Sequence, residues 1–101
     1  MLELRPTCEH CDKALAPAST DAMICSFECT FCRDCVQLLH DVCPNCGGGF
    51  VPRPIRPAQD WKNGNNLSHY PATTRVTHKP VDLTAHAALV KSVNNRDPAQ
   101  R

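Results

Sequence analysis

A small α+β domain with an extended tail is the fold this chain predicts, and three observations predict it. All eight cysteines fall between Cys8 and Cys46, leaving the last 55 of 101 residues without one. A short alternating stretch around Ile24 and Phe31 runs into a helix-like segment ending near His40. Past Phe50, prolines interrupt the chain repeatedly. The aromatic residues are only Phe27, Phe31, Phe50, Trp61 and Tyr70. A head of about 50 residues lies where apolar burial barely offsets chain entropy, so a metal or disulfide staple is expected.

Taken in order, residues 14–21 read as a loop, with Pro17 and the Ser19-Thr20-Asp21 cluster as turn signals. Residues 23–31 alternate roughly and carry β-branched and aromatic side chains, which suits a short hairpin. Asp34 is the expected cap of a short helix through Val36, Leu38, Leu39 and His40. Pro44-Asn45 and the three glycines Gly47-Gly48-Gly49 then impose tight turns. The domain division expected is a cysteine-rich unit over 1–50 and a basic, proline-containing tail over 51–101. Residues 51–57 should be extended, and Asn63-Gly64-Asn65-Asn66 should turn. A helix is predicted near 82–95, capped by Asp82, with Leu83, Val90 and Val93 near one stripe and Asp97-Pro98 as its stop. An isolated helix of that length is marginal in water, so it needs a surface to dock on.

Charge is divided unevenly. Residues 1–50 carry three Lys/Arg against seven Asp/Glu, a net −4, and residues 51–101 carry eight against three, a net +5. Eight thiolates on two divalent ions would make the head more acidic still. Such a head is unsuited to gripping phosphate backbones, whereas the tail is free to fold back on it or to reach an acidic partner. No apolar run approaches the roughly 20 residues needed to cross a bilayer. The first residues, Met1 to Pro6, show no basic segment followed by an apolar one, so a secretory signal is not expected. The cytoplasm is then the expected location, where cysteine pairs more often bind metal than form disulfides.

The cysteine spacing is C-x2-C, thirteen residues, C-x3-C, two residues, C-x2-C, seven residues, C-x2-C. Two cysteines separated by two residues can turn both sulfurs toward one tetrahedral ion at about 2.3 Å. Two partitions follow. Sequential sites would use Cys8, Cys11, Cys25 and Cys29, then Cys32, Cys35, Cys43 and Cys46. Interleaved sites would use Cys8, Cys11, Cys32 and Cys35, then Cys25, Cys29, Cys43 and Cys46. The sequential set leaves two beads joined by Thr30-Phe31, whereas interleaving brings distant segments together twice and orders the whole head. Interleaving is therefore the favoured partition, with two Zn²⁺ as the cofactors. Iron suits four thiolates as well.

This ladder resembles a RING finger, whose ligands run C-x2-C, a loop, C-x(1–3)-His or Cys, then two further C-x2-C pairs cross-braced about two zincs. Phe31-Cys32-Arg33-Asp34-Cys35 and Cys43-Pro44-Asn45-Cys46 carry the likeness, with Cys29 where histidine is commoner. The resemblance implies a RING-like or treble-clef cross-brace with a short hairpin and a short helix. Closer still, residues 1–6, 24–32 and 43–48 resemble small bacterial proteins grouped as domain-of-unknown-function family 1272. The Arg53-Pro54 segment and residues 70–76 are similar to the tails of that family. That likeness implies a bacterial source and no defined activity.

Four thiolates per ion leave no open coordination position, so catalysis is not expected, and the chain is read as no enzyme. The expected function is a zinc-binding, protein–protein interaction module, monomeric or weakly dimeric, with another protein as partner. Alternatives from other classes are a redox or metal-responsive zinc–thiolate sensor, a RING-type ligase of ubiquitin-like proteins, and a nucleic-acid-binding accessory protein. In RING-type ligases an apolar patch beside the zinc loops grips the conjugating enzyme. Pro44 fits that patch, but His10 fills its aliphatic slot and Gly47 the slot of a cation. The tail cations are dispersed, and only Trp61 and Tyr70 interleave them, which suits nucleic acid poorly. His10 and His40 are expected to be solvated or to support ligands, and His69, His78 and His86 to lie apart from any metal.

Overall fold

The structure is a computed structural model describing residues 1–101. Its regular elements are β1 (Ala22–Ile24), β2 (Thr30–Cys32), α1 (Arg33–Leu38), β3 (Val51–Pro52) and α2 (Leu83–Val93), with a 3₁₀ turn at Pro98–Gln100. The hairpin forms where alternation placed it: β1 and β2 pair antiparallel with Met23 opposite Phe31. The third strand was not expected. Val51–Pro52 pairs antiparallel with β1, Met23 facing Pro52, to give the sheet order β2-β1-β3. Pro52 is tolerated because β3 is an edge, where a missing N–H costs no ladder bond. The sheet thus continues two residues into the segment read as tail.

The helix α1 starts directly from β2, which corrects its expected cap. Cys32 occupies the N-cap position, with extended φ −76° and ψ 162° and no side-chain cap, and Asp34 falls in the first turn. There the carboxylate still faces the positive end of the helix dipole. The strand-to-helix junction at Cys32 sets Cys32 and Cys35 one helical turn apart, and that requirement overrides capping preference.

The core is small. Leu4, Leu15, Phe31, Leu39 and Val42 are almost fully buried, and Phe31 meets Phe50 edge-on with ring centroids 5.4 Å apart. Arg53, just past β3, is also buried and ties the N-terminal loop to the sheet. Its guanidinium donates to the carbonyls of Arg5 at 2.9 Å and Ala16 at 3.0 Å. No carboxylate meets it, and burial lowers its pKa.

From Pro54 the chain wraps the head. Residues 57–67 form a closed loop, with the Leu67 amide bonded to the Pro57 carbonyl at 2.9 Å and Trp61 exposed. The chain then returns along the N-terminus, where the Thr73 amide donates to Leu4 O at 3.1 Å and Arg75 pairs with Glu3. Asp82 caps α2 as expected, accepting from the amides of Thr84 and Ala85, and Asn94 ends it in the left-handed conformation. The expected apolar stripe is corrected at one end: His86 and Val93 are buried, whereas Leu83 is 44% exposed. The docking face has rotated because α2 rests on the loop around Val42 rather than on another helix or strand.

Leu38 and Leu39 are neighbours with opposite fates, 47% and 0% exposed. Leu39→Ala should lower unfolding free energy by about 2–5 kcal/mol, and Leu38→Ala by no more than about 0.5 kcal/mol. Denaturant titrations at saturating metal check both. Equal losses would contradict the assignment of the core.

Candidate metal centres

The short elements converge the cysteines in pairs. Cys8 and Cys11 flank a turn closed by the Asp12 amide on Cys8 O, and Cys43 and Cys46 flank one closed by the Gly47 amide on Cys43 O. In both, the residue after the second cysteine turns left-handed, Asp12 at φ 64° and Gly47 at φ 76°. Glycine meets that demand without strain, whereas an aspartate there costs more. The chain can then aim amides back at sulfur. Gly48 N–H donates to Cys46 Sγ at 3.4 Å and Phe27 N–H to Cys25 Sγ at 3.3 Å. The Lys13 amide supports Cys11 in the same way, two residues on.

Two groups of sulfurs result. Cys8, Cys11, Cys32 and Cys35 place all four Sγ atoms within 4.8 Å of one another. Cys25, Cys43 and Cys46 do the same in a second group. Cys29 adjoins that trio beside Cys25, and its Sγ receives Asn45 Nδ2 at 3.4 Å. The pairs therefore interleave, with the sequential partition excluded by which sulfurs meet. Six of the eight cysteines are buried, and Cys11 and Cys46 are exposed, one in each group.

The donor set fits a tetrahedral ion. Metal–sulfur bonds of about 2.3 Å set sulfurs about 3.8 Å apart, and Cys11 Sγ stands 3.8 Å from Cys32 Sγ. A disulfide would need about 2.05 Å. Burial pushes the thiols of Cys29, Cys32, Cys35 and Cys43 upward, with adjoining thiols adding to it, and Cys35 and Cys43 rise farthest. Burial also opposes the Cys11 thiolate, but the Lys13 amide and three neighbouring thiols outweigh it, leaving that thiol below its ordinary value. Buried sulfurs crowded in this way need a cation before they can all ionise.

Glu9 belongs to the support of the first group, and no sequence signal marked it. Its buried carboxylate accepts from the Thr30 amide at 2.7 Å and from Arg5 Nη1 at 2.9 Å, binding the first cysteine turn to β2. Asn45 was legible only as a turn residue. Among the histidines, His10 Nδ1 accepts from the Val81 amide at 2.9 Å, and His40 is exposed. His69 bonds Asn66, His78 the His10 carbonyl, and buried His86 donates from Nε2 to Val42 O at 2.7 Å.

The fold and sites define a small cysteine-rich α+β protein with two thiol clusters, each able to hold a metal ion. Residues 1–56 match the family described as "Protein of unknown function (DUF1272)", and the chain belongs to that family. It is 54% identical over 81 residues to an uncharacterized protein of Rhizobium meliloti (strain 1021), covering 79% of this chain and 89% of that relative. No solved structure matches it.

Filling both clusters with a divalent ion displaces thiol protons, so binding weakens as pH falls. Loading the metal-free, reduced chain near pH 7 should release about eight protons, one for each cysteine. Calorimetry in buffers of different ionisation enthalpy measures the number. A release near four would leave one cluster outside this account.

Proposed function

We propose that this protein is a zinc-binding module with two structural four-cysteine sites, serving as a rigid scaffold for binding another protein. The observation that carries it is the interleaving of four cysteine pairs into two sulfur clusters. Four thiolates complete a tetrahedral shell, which supports a structural rather than catalytic role. Zinc is the ion proposed because a closed tetrahedral shell of four thiolates is its common structural site, although iron suits the same donors. The chain has no helix long and apolar enough to cross a membrane. Sulfurs spaced for a shared ion, as Cys11 and Cys32 are at 3.8 Å, support a place in the reducing cytoplasm.

The protein's own tail bears on the competing roles. In the RING likeness, the partner surface lies around His10, Pro44 and Gly47. Here His10 is bonded to Val81, Pro44 lines a cleft with Val81, His86 and Leu89, and a side chain at Gly47 would meet Leu89. That coverage weighs against docking of a conjugating enzyme. Nucleic-acid binding is weakened similarly, because five of the eight tail cations are engaged by the protein itself. Arg53, Arg56, Arg96 and Arg101 bond carbonyls, and Arg75 bonds Glu3. The surface left for a protein partner is apolar. Val51 is 60% exposed beside a groove with Ile24, Phe50 and Pro54, and Phe27 is 72% exposed between Ser26 and Glu28, which also line it. A redox-responsive role is favoured by a separate observation, the exposure of Cys11 and Cys46.

Elemental analysis of the protein isolated from its own cells should find two zinc ions per chain. Iron, or fewer than about two ions, would contradict the proposal. Crosslinking in a native extract should join the full chain to a protein, and Phe27→Asp should abolish that adduct. An adduct unchanged by the substitution would place the partner elsewhere.

A further inference from the structure

Every polar contact between residues 78–101 and the head lands within two residues of a cysteine. His78 Nε2 bonds His10 O at 3.3 Å, the Lys79 amide bonds Glu9 O at 2.8 Å, and the Val81 amide bonds His10 Nδ1 at 2.9 Å. Glu9 and His10 are the two residues between Cys8 and Cys11. The remaining contacts reach the other end of the ladder. His86 Nε2 donates to the carbonyl of Val42, the residue before Cys43, at 2.7 Å. Arg101 Nη1 donates to Asp41 O at 2.7 Å and to Gly47 O at 3.3 Å, bracketing the Cys43–Cys46 turn. Pro98 closes over Gly49 so tightly that an added Cβ would come within 2.8 Å of Pro98 Cγ.

We propose that residues 78–101 form an outer clamp on both metal centres, with Val81, His86 and Arg101 as positioning residues that hold the cysteine turns in ligating geometry and slow ion loss. The inference rests on the two-site metal reading above and deepens it. A turn that opens carries its two thiolates away from the ion together. Opening the Cys8–Cys11 turn breaks the contacts to Val81 and Lys79, and opening the Cys43–Cys46 turn breaks those to His86 and Arg101. His86 is 5% exposed, so water has little access to replace its bond. Groups that orient metal ligands commonly change metal affinity by about 10–100-fold. By linkage, a bound ion favours a docked tail by the same factor as a docked tail favours the ion.

The anchors are divided, so the effect is site-selective, which a general loss of stability is not. The full chain loaded with cadmium-113 gives one resonance for each four-thiolate site, assigned through couplings to cysteine β-protons. Excess EDTA then reports the loss rate of each. Val81→Pro removes one N–H and should speed loss from the Cys8, Cys11, Cys32, Cys35 site about tenfold, with the other site within about twofold. His86→Leu, and the exposed variant Arg101→Ala should the buried one fail to fold, should do the reverse. Leu83→Ala, on the exposed side of the same helix, should change neither rate. Rates equal to the unmodified protein's, or both sites accelerated alike, would overturn the clamp while leaving the metal reading intact. Failure of the unmodified chain to bind two cadmium ions would overturn both.

Discussion

Two sulfur clusters drawn from alternating cysteine pairs constrain everything else in the head. The first and third pairs share one cluster, and Cys25 joins the fourth pair in the other, with Cys29 beside it. Neither cluster can form until the chain between Cys11 and Cys43 has folded back past itself. Six of the sixteen residues in the apolar core are cysteines, so the core and the clusters are largely the same atoms. Removing a cation from such a core leaves crowded, desolvated thiols with few donors. A head this short has little other burial with which to replace it.

The head's acidity and the tail's basicity suggest electrostatic docking, but the contacts are of another kind. Arg75 with Glu3 is the one ion pair between the two segments. The other tail-to-head bonds run from amides, guanidinium groups and two imidazoles to backbone carbonyls or a ring nitrogen. Screening by salt acts on the first kind and hardly on the second. Opposite net charges draw the segments together, and directional bonds to fixed loops decide where the tail lies. That division explains how a helix with few buried side chains stays in one place.

Much of this was legible in the sequence, for physical reasons that differ by element. Cysteine spacing is a local property with a geometric requirement, and the hairpin and the Asp82 cap likewise depend on neighbours in the chain. The α1 cap departs from propensity because its position is set by the junction at Cys32. The strand Val51–Pro52 was read as a tail because two residues containing proline carry no period, and only the partner strand makes them a strand. Glu9, Arg53 and His86 were not legible as buried groups. Each is polar, and each is buried only because a distant segment supplies its partner: Thr30 for Glu9, Arg5 and Ala16 for Arg53, Val42 for His86.

The central claim is that the interleaved clusters fold the head as one unit. Amide hydrogen exchange across residues 8–46, measured with metal bound and again in strong chelator with reductant, tests it most directly. The account predicts that protection collapses together throughout that span, in the Cys8–Cys11 and Cys43–Cys46 turns and in the hairpin alike, because each ion ties distant segments. Protection that survives chelation, or is lost in one half of the span while the other half keeps it, would contradict the account.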